Sequence, residues 1–427
     1  MINHNKLQKQ EGIVITFIGV KGYRCLKHVC QPLGGFHVLV GPNASGKSVF
    51  LDTLAFLRDV LQEGPEAAIT KRGQSLRELV WRQSADAFEL AVEIAIPKAL
   101  QTRLPEPYPF CRYEVRVGSG PDGKPQLLTE NFWLLRVSPT PATCQNGPCQ
   151  SVVHEHLPTD GRQVIRFRGD GLAYFYPETT SQHFSMVLPL QVASLTALSD
   201  AEQFPVAAWA RAVLARGVRL IKLGGFAIRH YCPPDAPRVL QSDGSNLAAV
   251  VRYLREQDPN EFQQWLQHIQ WLLPGLQDVD VQVRGEDQYL YLVARAGGAT
   301  SSQLLSDGVL RMMALTILPY LPMESLVEEG AFQEKIPPIY LIEEPENGIY
   351  PTHIEGVFQS LSSVYDGQVL ITTHSPLLVG LAKPEQILCF VQTEEGTRIL
   401  PGDRHPRLRN WRGVPNLGEL YAAGVLG

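Results

Sequence analysis

The chain has 427 residues, enough for one large core or for two to three domains, and its 44% hydrophobic and 19% charged residues are typical of a globular protein. Its 38 basic and 43 acidic side chains give a net charge of −5, which argues against a protein that coats nucleic acid with a broadly basic surface but does not exclude a local basic groove. There is no apolar run of about 18 residues, the N-terminus is polar, and the seven cysteines suit reduced thiols, so we expect a cytoplasmic protein without a membrane span.

The first predicted strands lead into a glycine-rich turn. Residues 13–29 predict strand structure, and the apolar run 37–40 predicts a short buried strand. The next eight residues fit the pattern G-x-x-x-x-G-K-[ST], and apolar residues at helical spacing follow over 51–63. The candidate nucleotide-binding residues of this loop are Gly41, Pro42, Asn43, Ala44, Ser45, Gly46, Lys47 and Ser48.

The order strand, glycine turn and helix has a chemical consequence. It aims free backbone N–H groups and the positive end of a helix at one point, which favours a polyphosphate. Gly41 and Gly46 allow the backbone to turn and to approach phosphate oxygens closely. Lys47 would reach the β- and γ-phosphates, and the Ser48 hydroxyl would bind Mg²⁺. The alternative is a glycine turn in front of an ordinary helix.

Residues 88–136 predict an antiparallel region. Residues 88–96 alternate apolar and polar side chains, which predicts a strand with one solvent-facing side. Strands are also predicted over 113–118 and 126–136, with a hairpin turn at Asp122-Gly123. We predict three regions: an N-terminal lobe over 12–136, an inserted α+β subdomain over 137–240 and a C-terminal lobe over 241–427.

Two cysteines in the predicted insert have spacing that a metal site could use. Cys144 and Cys149 could form half of a zinc site. No second pair of cysteines or histidines has matching spacing, so a polar loop is the better-supported interpretation.

The C-terminal lobe begins with predicted helices over 247–256 and 260–273 and a hairpin over 279–294. Ser306, Asp307 and Gly308 then precede an apolar helix. Small polar residues and a glycine at a helix N-terminus can bind an anion. The alternative is an ordinary N-cap, in which Ser306 or Asp307 satisfies the first turn.

Two further strands are predicted to end in polar groups. Residues 339–342 are apolar and run into Glu343 and Glu344. We expect this strand beside the strand of the glycine-rich loop, with Glu343 holding Mg²⁺ through water and Glu344 acting as general base on the attacking water. A surface turn with acidic residues is the alternative. The strand over 368–373 ends at His374, which is placed to sense the γ-phosphate.

Together these residues resemble the ABC-type ATPase heads of the SMC/RecF/OLD class, in particular the soluble RecF-like AAA-family ATPases of bacteria. Residues 41–48 resemble Walker A, 305–308 the signature loop and 339–344 Walker B. Residues 346–351 resemble the D-loop, and His374 resembles the switch histidine. The segment 242–247 is also similar to one common in this group. The resemblance covers about 12–96 and 240–427.

The resemblance implies an α/β P-loop NTPase with a mixed central sheet, an antiparallel β lobe and an inserted subdomain. It also implies a head-to-tail homodimer with ATP and Mg²⁺ at the interface. Ser306 and Gly308 of one subunit would then contact the γ-phosphate held by Lys47 of the other. A glutamine usually joins Mg²⁺ to the lid, and Gln83 is the candidate, with Gln74 as its rival. Many relatives have Asp where this chain has Glu343, which lengthens the reach to magnesium by one methylene.

Three functions follow from the motifs. The first is an ATP-hydrolysing dimer that acts on DNA or gates an effector in DNA repair or anti-phage defence. Only about 50 residues follow His374, so a nuclease or toxin effector is expected as a separate polypeptide. The second is the nucleotide-binding subunit of a membrane transporter, against which stand the long insert and the Glu-Glu-Pro-Glu-Asn sequence. The third is a scaffold that binds ATP without turnover.

DNA contact has one candidate in the sequence. Arg404, Arg407, Arg409 and Arg412 form a basic cluster near the C-terminus. A solvated charged tail is the alternative interpretation and the better supported one.

Overall fold

The structure is a computed structural model that describes residues 14–138, 151–156, 161–198, 200–285, 289–327, 333–406 and 416–424. Its strands are β1 (Ile15–Tyr23), β2 (Leu26–Pro32), β3 (Phe36–Val40), β4 (Ala87–Ala95), β5 (Phe110–Ser119), β6 (Pro125–Leu135), β7 (Gly161–Phe167), β8 (Leu172–Phe175), β9 (Phe184–Val187), β10 (Val218–Ile221), β11 (Asp278–Arg284), β12 (Tyr289–Arg295), β13 (Ala299–Ser301), β14 (Glu324–Val327), β15 (Gln333–Ile336), β16 (Ile339–Glu343), β17 (Gln368–Thr372), β18 (Ile387–Thr393) and β19 (Gly396–Pro401).

The α-helices are α1 (Lys47–Glu63), α2 (Pro65–Thr70), α3 (Leu76–Leu79), α4 (Lys98–Gln101), α5 (Pro205–Ala212), α6 (Leu247–Gln257), α7 (Pro259–Leu272), α8 (Asp307–Thr316), α9 (Ile354–Ser362), α10 (Pro376–Leu381) and α11 (Leu417–Ala422). The predicted helices at 51–63, 247–256 and 260–273 are confirmed as α1, α6 and α7. Within the described residues, no helix combines the length and the apolar character needed to cross a membrane.

A six-stranded sheet carries the candidate site, in the order β10-β16-β17-β3-β18-β19. Strands β10, β16, β17, β3 and β18 run parallel, and β19 pairs antiparallel with β18. The parallel strands are apolar because helices cover both faces of such a sheet. The carboxyl ends of β3, β16 and β17 therefore meet at one edge, where ligands bind in this kind of sheet.

The predicted position of the Glu343-Glu344 strand was wrong. This strand, β16, does not lie beside β3, because β17 is inserted between the two. The chain leaves β16 through α9 and returns as β17, which pairs with β16 on one side and with β3 on the other. Polar residues at the strand ends predict only which edge of the sheet they share. They do not give the order of the strands along it.

The second large sheet is antiparallel, with eight strands in the order β2-β1-β4-β5-β6-β7-β8-β9. The predicted antiparallel pairing over 88–136 is confirmed by the registers of β4, β5 and β6. Three strands of the region 137–240, β7 to β9, continue this sheet, whereas β10 belongs to the parallel sheet. The domain borders at 137 and 240 stay a prediction.

Strand β4 differs from its prediction, because its polar side does not face solvent. Glu89 is 6% exposed and Glu93 is fully buried. The segment 151–156 lies over this side, and the Ser151 hydroxyl and the Val152 N–H donate to Glu89 at 2.6 and 2.9 Å. Glu93 accepts from the Thr16 hydroxyl at 2.6 Å. Glu89 thus binds the covering segment, and Glu93 binds the neighbouring strand β1, instead of water.

One buried side chain joins the two sheets. Gln368, at the start of β17, accepts a hydrogen bond from the N–H of Ile15 at 2.9 Å and donates to the Ile15 carbonyl at 2.9 Å. It also donates to the carbonyl of Gly34 at 2.6 Å, just before β3. Because a buried amide must keep its partners, this residue fixes β1 of the antiparallel sheet against the strands of the candidate site.

Candidate functional site

The loop between β3 and α1 adopts a conformation that requires glycine at two positions. Gly41 has φ 145° and Gly46 has φ 102°. A Cβ atom on Gly41 would lie 2.4 Å from the carbonyl oxygen of Phe390, and one on Gly46 would lie 2.9 Å from the hydroxyl of Thr397. The loop therefore packs against β18 and β19, and both motif glycines are needed for its shape.

The start of α1 leaves hydrogen-bond donors open to the loop. Gly46 is its N-cap residue, so no side chain caps the first turn. The Ser45 hydroxyl is buried and has no hydrogen-bond partner within the described part of the chain. Unpaired N–H groups at the positive end of a 17-residue helix form an anion site. This arrangement fits a polyphosphate.

The side chain of Lys47 bonds back to the nucleotide-binding loop that precedes it. It is only 6% exposed, and its Nζ donates to the carbonyl oxygens of Gly41 at 2.7 Å and Pro42 at 2.9 Å. Burial lowers the pKa of Lys47, and the carboxylate of Glu344 partly opposes this shift. A buried ammonium group whose only described acceptors are two carbonyls gains from a phosphate partner.

The loop borders a cavity of about 490 Å³. It brings together most of the predicted nucleotide-binding loop with Glu344 and His374, as the sequence predicts. Its other lining residues were not predicted as site residues, since they come from the β1–β2 turn, from α1 and from the end of β17. The lining residues are Arg24, Cys25, Asn43, Ala44, Ser45, Gly46, Lys47, Ser48, Val49, Glu344, Thr372 and His374.

Glu344 lies directly after β16 in a constrained backbone conformation. Its φ is 46°, and its N–H donates to the carbonyl of Thr372 at 2.9 Å. The Asn347 side chain donates to one carboxylate oxygen at 2.5 Å, and His374 Nε2 lies 3.9 Å from the other. The far side of the imidazole, Nδ1, lies 3.5 Å from the hydroxyl of Tyr421. A carboxylate and an imidazole are thus held side by side on the cavity wall, where they can orient and deprotonate a water molecule.

Glu346 positions this histidine, a role that the sequence does not reveal. One of its carboxylate oxygens accepts from the Thr373 hydroxyl at 2.6 Å and from the N–H groups of His374 and Ser375 at 3.0 and 3.2 Å. Its other oxygen is buried without a partner among the described residues. The contact crosses from the segment after β16 to the end of β17, so only the sheet order brings the two together.

We expect Glu346→Ala to slow ATP hydrolysis by about 10- to 100-fold, because a displacement of about 1 Å in a positioned group costs this much. ATP affinity should stay within about twofold, since Glu346 is not part of the cavity lining. Phosphate-release rates and equilibrium ATP binding measure the two effects. Glu346→Gln, which keeps an acceptor oxygen, should be less impaired. An Ala variant with the wild-type rate would show that Glu346 does not position His374.

Glu343 is placed differently from Glu344. Its carboxylate lies 3.1 Å from Nζ of Lys222, which follows β10, and it is not part of the cavity lining. Lys222 is 69% exposed, so this ion pair is weak and can open. Mg²⁺ at nucleotide sites takes one or two protein oxygens together with phosphate and water oxygens. The Ser48 hydroxyl and a carboxylate at this edge suit that chemistry, and the assignment of Glu343 stays a prediction.

Neither candidate glutamine borders the cavity. Gln83 is exposed in a 3-10 turn with φ 51°, and its N–H donates to Val80 at 3.0 Å. Gln74 is exposed in the preceding loop, and its N–H donates to Glu78 at 3.0 Å. Their role at Mg²⁺ therefore remains a prediction.

The predicted signature loop lies apart from the cavity of the same chain. The Ser306 hydroxyl accepts from the N–H of Val309 at 3.4 Å, so the N-cap interpretation holds for Ser306. Asp307 pairs with Arg229 at 2.5 Å. A Cβ atom on Gly308 would lie 2.3 Å from the carbonyl oxygen of Gly348, so the loop packs tightly on the segment that follows β16. Residues 306–308 are not part of the cavity lining.

Two predictions involve residues that the structure does not describe. Cys144 and Cys149 lie outside the described residues, as do Arg407, Arg409 and Arg412 of the basic cluster. Arg404 is described, and its Nε lies 4.0 Å from the carboxylate of Asp403.

Comparison with known proteins identifies a family. Over residues 36–109 and 158–380 the chain matches the model of a protein family described as "AAA domain, putative AbiEii toxin, Type IV TA system". No curated protein matches the chain.

Comparison with solved structures agrees with the fold. An Smc head bound to the C-winged helix domain of ScpA matches with a TM-score of 0.50 and 16% identity, over 90% of this chain and 96% of that one. An Smc head from Pyrococcus furiosus, bound to the C-terminal domain of ScpA, gives 0.48 and 14% over 90% and 95%. The SMC head from Thermotoga maritima gives 0.42 and 11% over 91% and 98%. The first likeness shows a P-loop ATPase head fold for this chain.

Proposed function

This chain belongs to the AAA-domain family whose model covers more than half of it, with the fold of an SMC/RecF-like ABC-type ATPase head, and from this premise we propose that it binds and hydrolyses ATP as a head-to-tail homodimer. One observation carries the proposal: the same cavity is lined by the uncapped start of α1, Lys47, Glu344 and His374. Binding groups for a triphosphate and a base for the attacking water thus lie on the same edge of one sheet.

The residues of the cavity have separate roles in binding and hydrolysing ATP. The N–H groups at the start of α1 bind phosphate oxygens, and Lys47 exchanges its two loop carbonyls for the β- and γ-phosphates. Ser48 and Glu343 would hold Mg²⁺, which would neutralise phosphate charge when it is bound. Glu344 accepts the proton of the attacking water, and His374 hydrogen-bonds the water or the γ-phosphate.

The surface around α8 supports a second copy of the chain as the partner. Ser306 is exposed beside three large apolar or aromatic side chains, Leu304 and Phe226 at 81% exposure and Tyr350 at 68%. The exposed N-terminus of a helix flanked by unburied apolar residues suits an interface that closes on a phosphate. In a head-to-tail dimer, this surface would face the cavity of the other protomer.

We further propose that ATP-driven closure acts on a separately encoded effector or nuclease, or on DNA, in anti-phage defence or DNA repair. The family's description names a putative toxin of a type IV toxin–antitoxin system, which supports a role with a protein partner.

The experiment that tests the proposal compares Lys47→Ala with the wild type. Losing two charge-assisted contacts to phosphate should weaken ATP binding by about 100-fold and abolish phosphate release. Equilibrium binding of a fluorescent ATP analogue and a phosphate-release assay measure these effects. Lys98→Ala, which removes an exposed lysine at the start of α4, should behave as wild type. Unchanged ATP binding in the Lys47 variant would place the nucleotide elsewhere.

A further inference from the structure

A second cavity, of about 320 Å³, lies beside β10, the edge strand of the parallel sheet. It shares no lining residue with the cavity at the nucleotide-binding loop. Its lining residues are Arg219, Arg238, Val239, Tyr253, Leu321, Pro322, Met323 and Glu324. Arg219 pairs in register with Tyr340, three residues before Glu343 in β16, so the second cavity lies about 10 Å along the strands from the ATP edge.

Arg219 is a buried cation with an unused donor. The residue is only 7% exposed, and its Nη2 donates to Glu324 at 2.9 Å. Its Nε has no hydrogen-bond partner within the described ranges of the chain. Leaving a buried N–H group unpaired destabilises the folded protein, and more so when the group is charged. A ligand oxygen in the cavity would remove this cost.

Arg238 supplies a second cation on a loop that is fixed in place. Its guanidinium carbon lies 5.2 Å from the ring centroid of Tyr253, which is on α6. The side chain of Asn246, only 1% exposed, donates to the carbonyls of Pro237 and Val239 at 2.6 and 2.7 Å. It also accepts from the N–H of Gln241 at 2.8 Å. These bonds hold both ends of the loop, so Arg238 and the neighbouring wall are positioned before any ligand binds.

The charges and apolar walls define the class of ligand. Arg219 and Arg238 carry two positive charges against the one negative charge of Glu324, which leaves an excess of one positive charge. Much of the remaining lining is apolar, from Val239, Leu321 and Met323. A cavity lined by two arginines and by apolar and aromatic side chains suits a molecule with one anionic end and an apolar body.

We propose that this cavity binds a small organic anion, with a phosphate or carboxylate group at Arg219 and Arg238 and an aromatic or apolar body against Tyr253 and the wall. The guanidinium groups bind the anionic end because arginine presents paired donors in the geometry of such groups. The site is separate from ATP binding, since none of its residues contributes to the cavity at Lys47.

The test uses phenyl phosphate, benzoate and inorganic phosphate as probes, titrated by calorimetry into full-length protein. All variants carry Lys47→Ala, so that the nucleotide-binding loop contributes little phosphate affinity. We expect saturable binding of phenyl phosphate or benzoate at one site. Arg219→Gln should weaken it about 10- to 100-fold, because one charge-assisted hydrogen bond is lost. If phenyl phosphate binds more tightly than benzoate, the anionic group is a phosphate. If benzoate binds more tightly, it is a carboxylate.

Two further variants keep the result interpretable if Arg219→Gln fails to fold. Arg238→Gln changes an exposed side chain and should also weaken binding about 10-fold. The matched control is Arg252→Gln, a half-exposed arginine on α6 next to Tyr253, whose ion pair with Glu256 lies outside the cavity lining. Absence of saturable binding, or equal weakening by all three variants, would overturn the proposal. Inorganic phosphate that binds as tightly as phenyl phosphate would overturn its organic part.

Discussion

Glu344→Gln is expected to lower the rate of ATP hydrolysis by at least about 100-fold while ATP affinity changes by less than about threefold. The glutamine side chain has nearly the same size but cannot accept a proton, and a positioned base contributes about 10²- to 10⁴-fold. Glu344 is held for this role by its positive φ and by the hydrogen bond from Asn347. Single-turnover phosphate release and equilibrium ATP binding measure the two quantities separately.

The same variant should accumulate as an ATP-bound dimer. In the proposed head-to-tail dimer, hydrolysis would end the closed state, so blocking the base should leave ATP trapped between two protomers. Light scattering after size-exclusion chromatography should show a dimer of Glu344→Gln with Mg²⁺ and ATP, and a smaller species with ADP. Glu355→Gln, an exposed glutamate on α9, is the matched control and should turn over ATP normally. Wild-type hydrolysis by Glu344→Gln in a monomeric state would exclude both its role as base and the dimer.

The local parts of this site can be predicted from the sequence because each depends on a short segment. The nucleotide-binding loop needs a buried strand, two glycines and a helix start, and these occur within residues 36–63. The apolar runs that end in Glu344 and His374 similarly predict buried parallel strands with polar ends. The structure brings all three strand ends to one cavity, as their shared pattern predicts.

Other parts depend on contacts between distant segments and could not be predicted. The role of Glu346 requires that β17 lies directly beside β16, and polar strand ends do not give this order. Tyr421 reaches His374 from α11, 47 residues later in the chain, and no local pattern points to it. Glu343 pairs with Lys222 because β10 adds to the edge of the sheet, which the prediction of a separate insert did not anticipate.

The polar side of β4 shows why periodicity alone misjudges exposure. Alternating polar residues predict a solvent-facing side, yet Glu93 is fully buried, because segments outside the strand bind it. The segment 242–247 is a similar case. This segment is similar to one common in the SMC/RecF/OLD class, but only the structure shows that its Asn246 fixes the loop carrying Arg238.

Mixing two inactive variants gives the sharpest test of the head-to-tail dimer. Lys47→Ala should disable the nucleotide-binding loop, and Ser306→Arg should block the signature loop with a bulky side chain at an exposed position. Each variant alone should lack ATPase activity, because both of its sites contain one damaged half. In a mixed dimer, however, one site combines two damaged halves and the other combines two intact ones.

An equal mixture in which subunits exchange freely contains half mixed dimers, each with one active site of two. The mixture should therefore recover about one quarter of the wild-type rate, if the two sites act independently. A mixture of Lys47→Ala with the double variant Lys47→Ala/Ser306→Arg should recover nothing, since no intact nucleotide-binding loop is present. If the first mixture stays inactive although mass spectrometry shows mixed dimers, residues 306–308 do not complete the site of the partner. Within its own chain, Ser306 caps α8 through the N–H of Val309 and lies outside the cavity. Recovered ATPase activity would therefore show that Ser306 also completes the ATP site of the partner protomer.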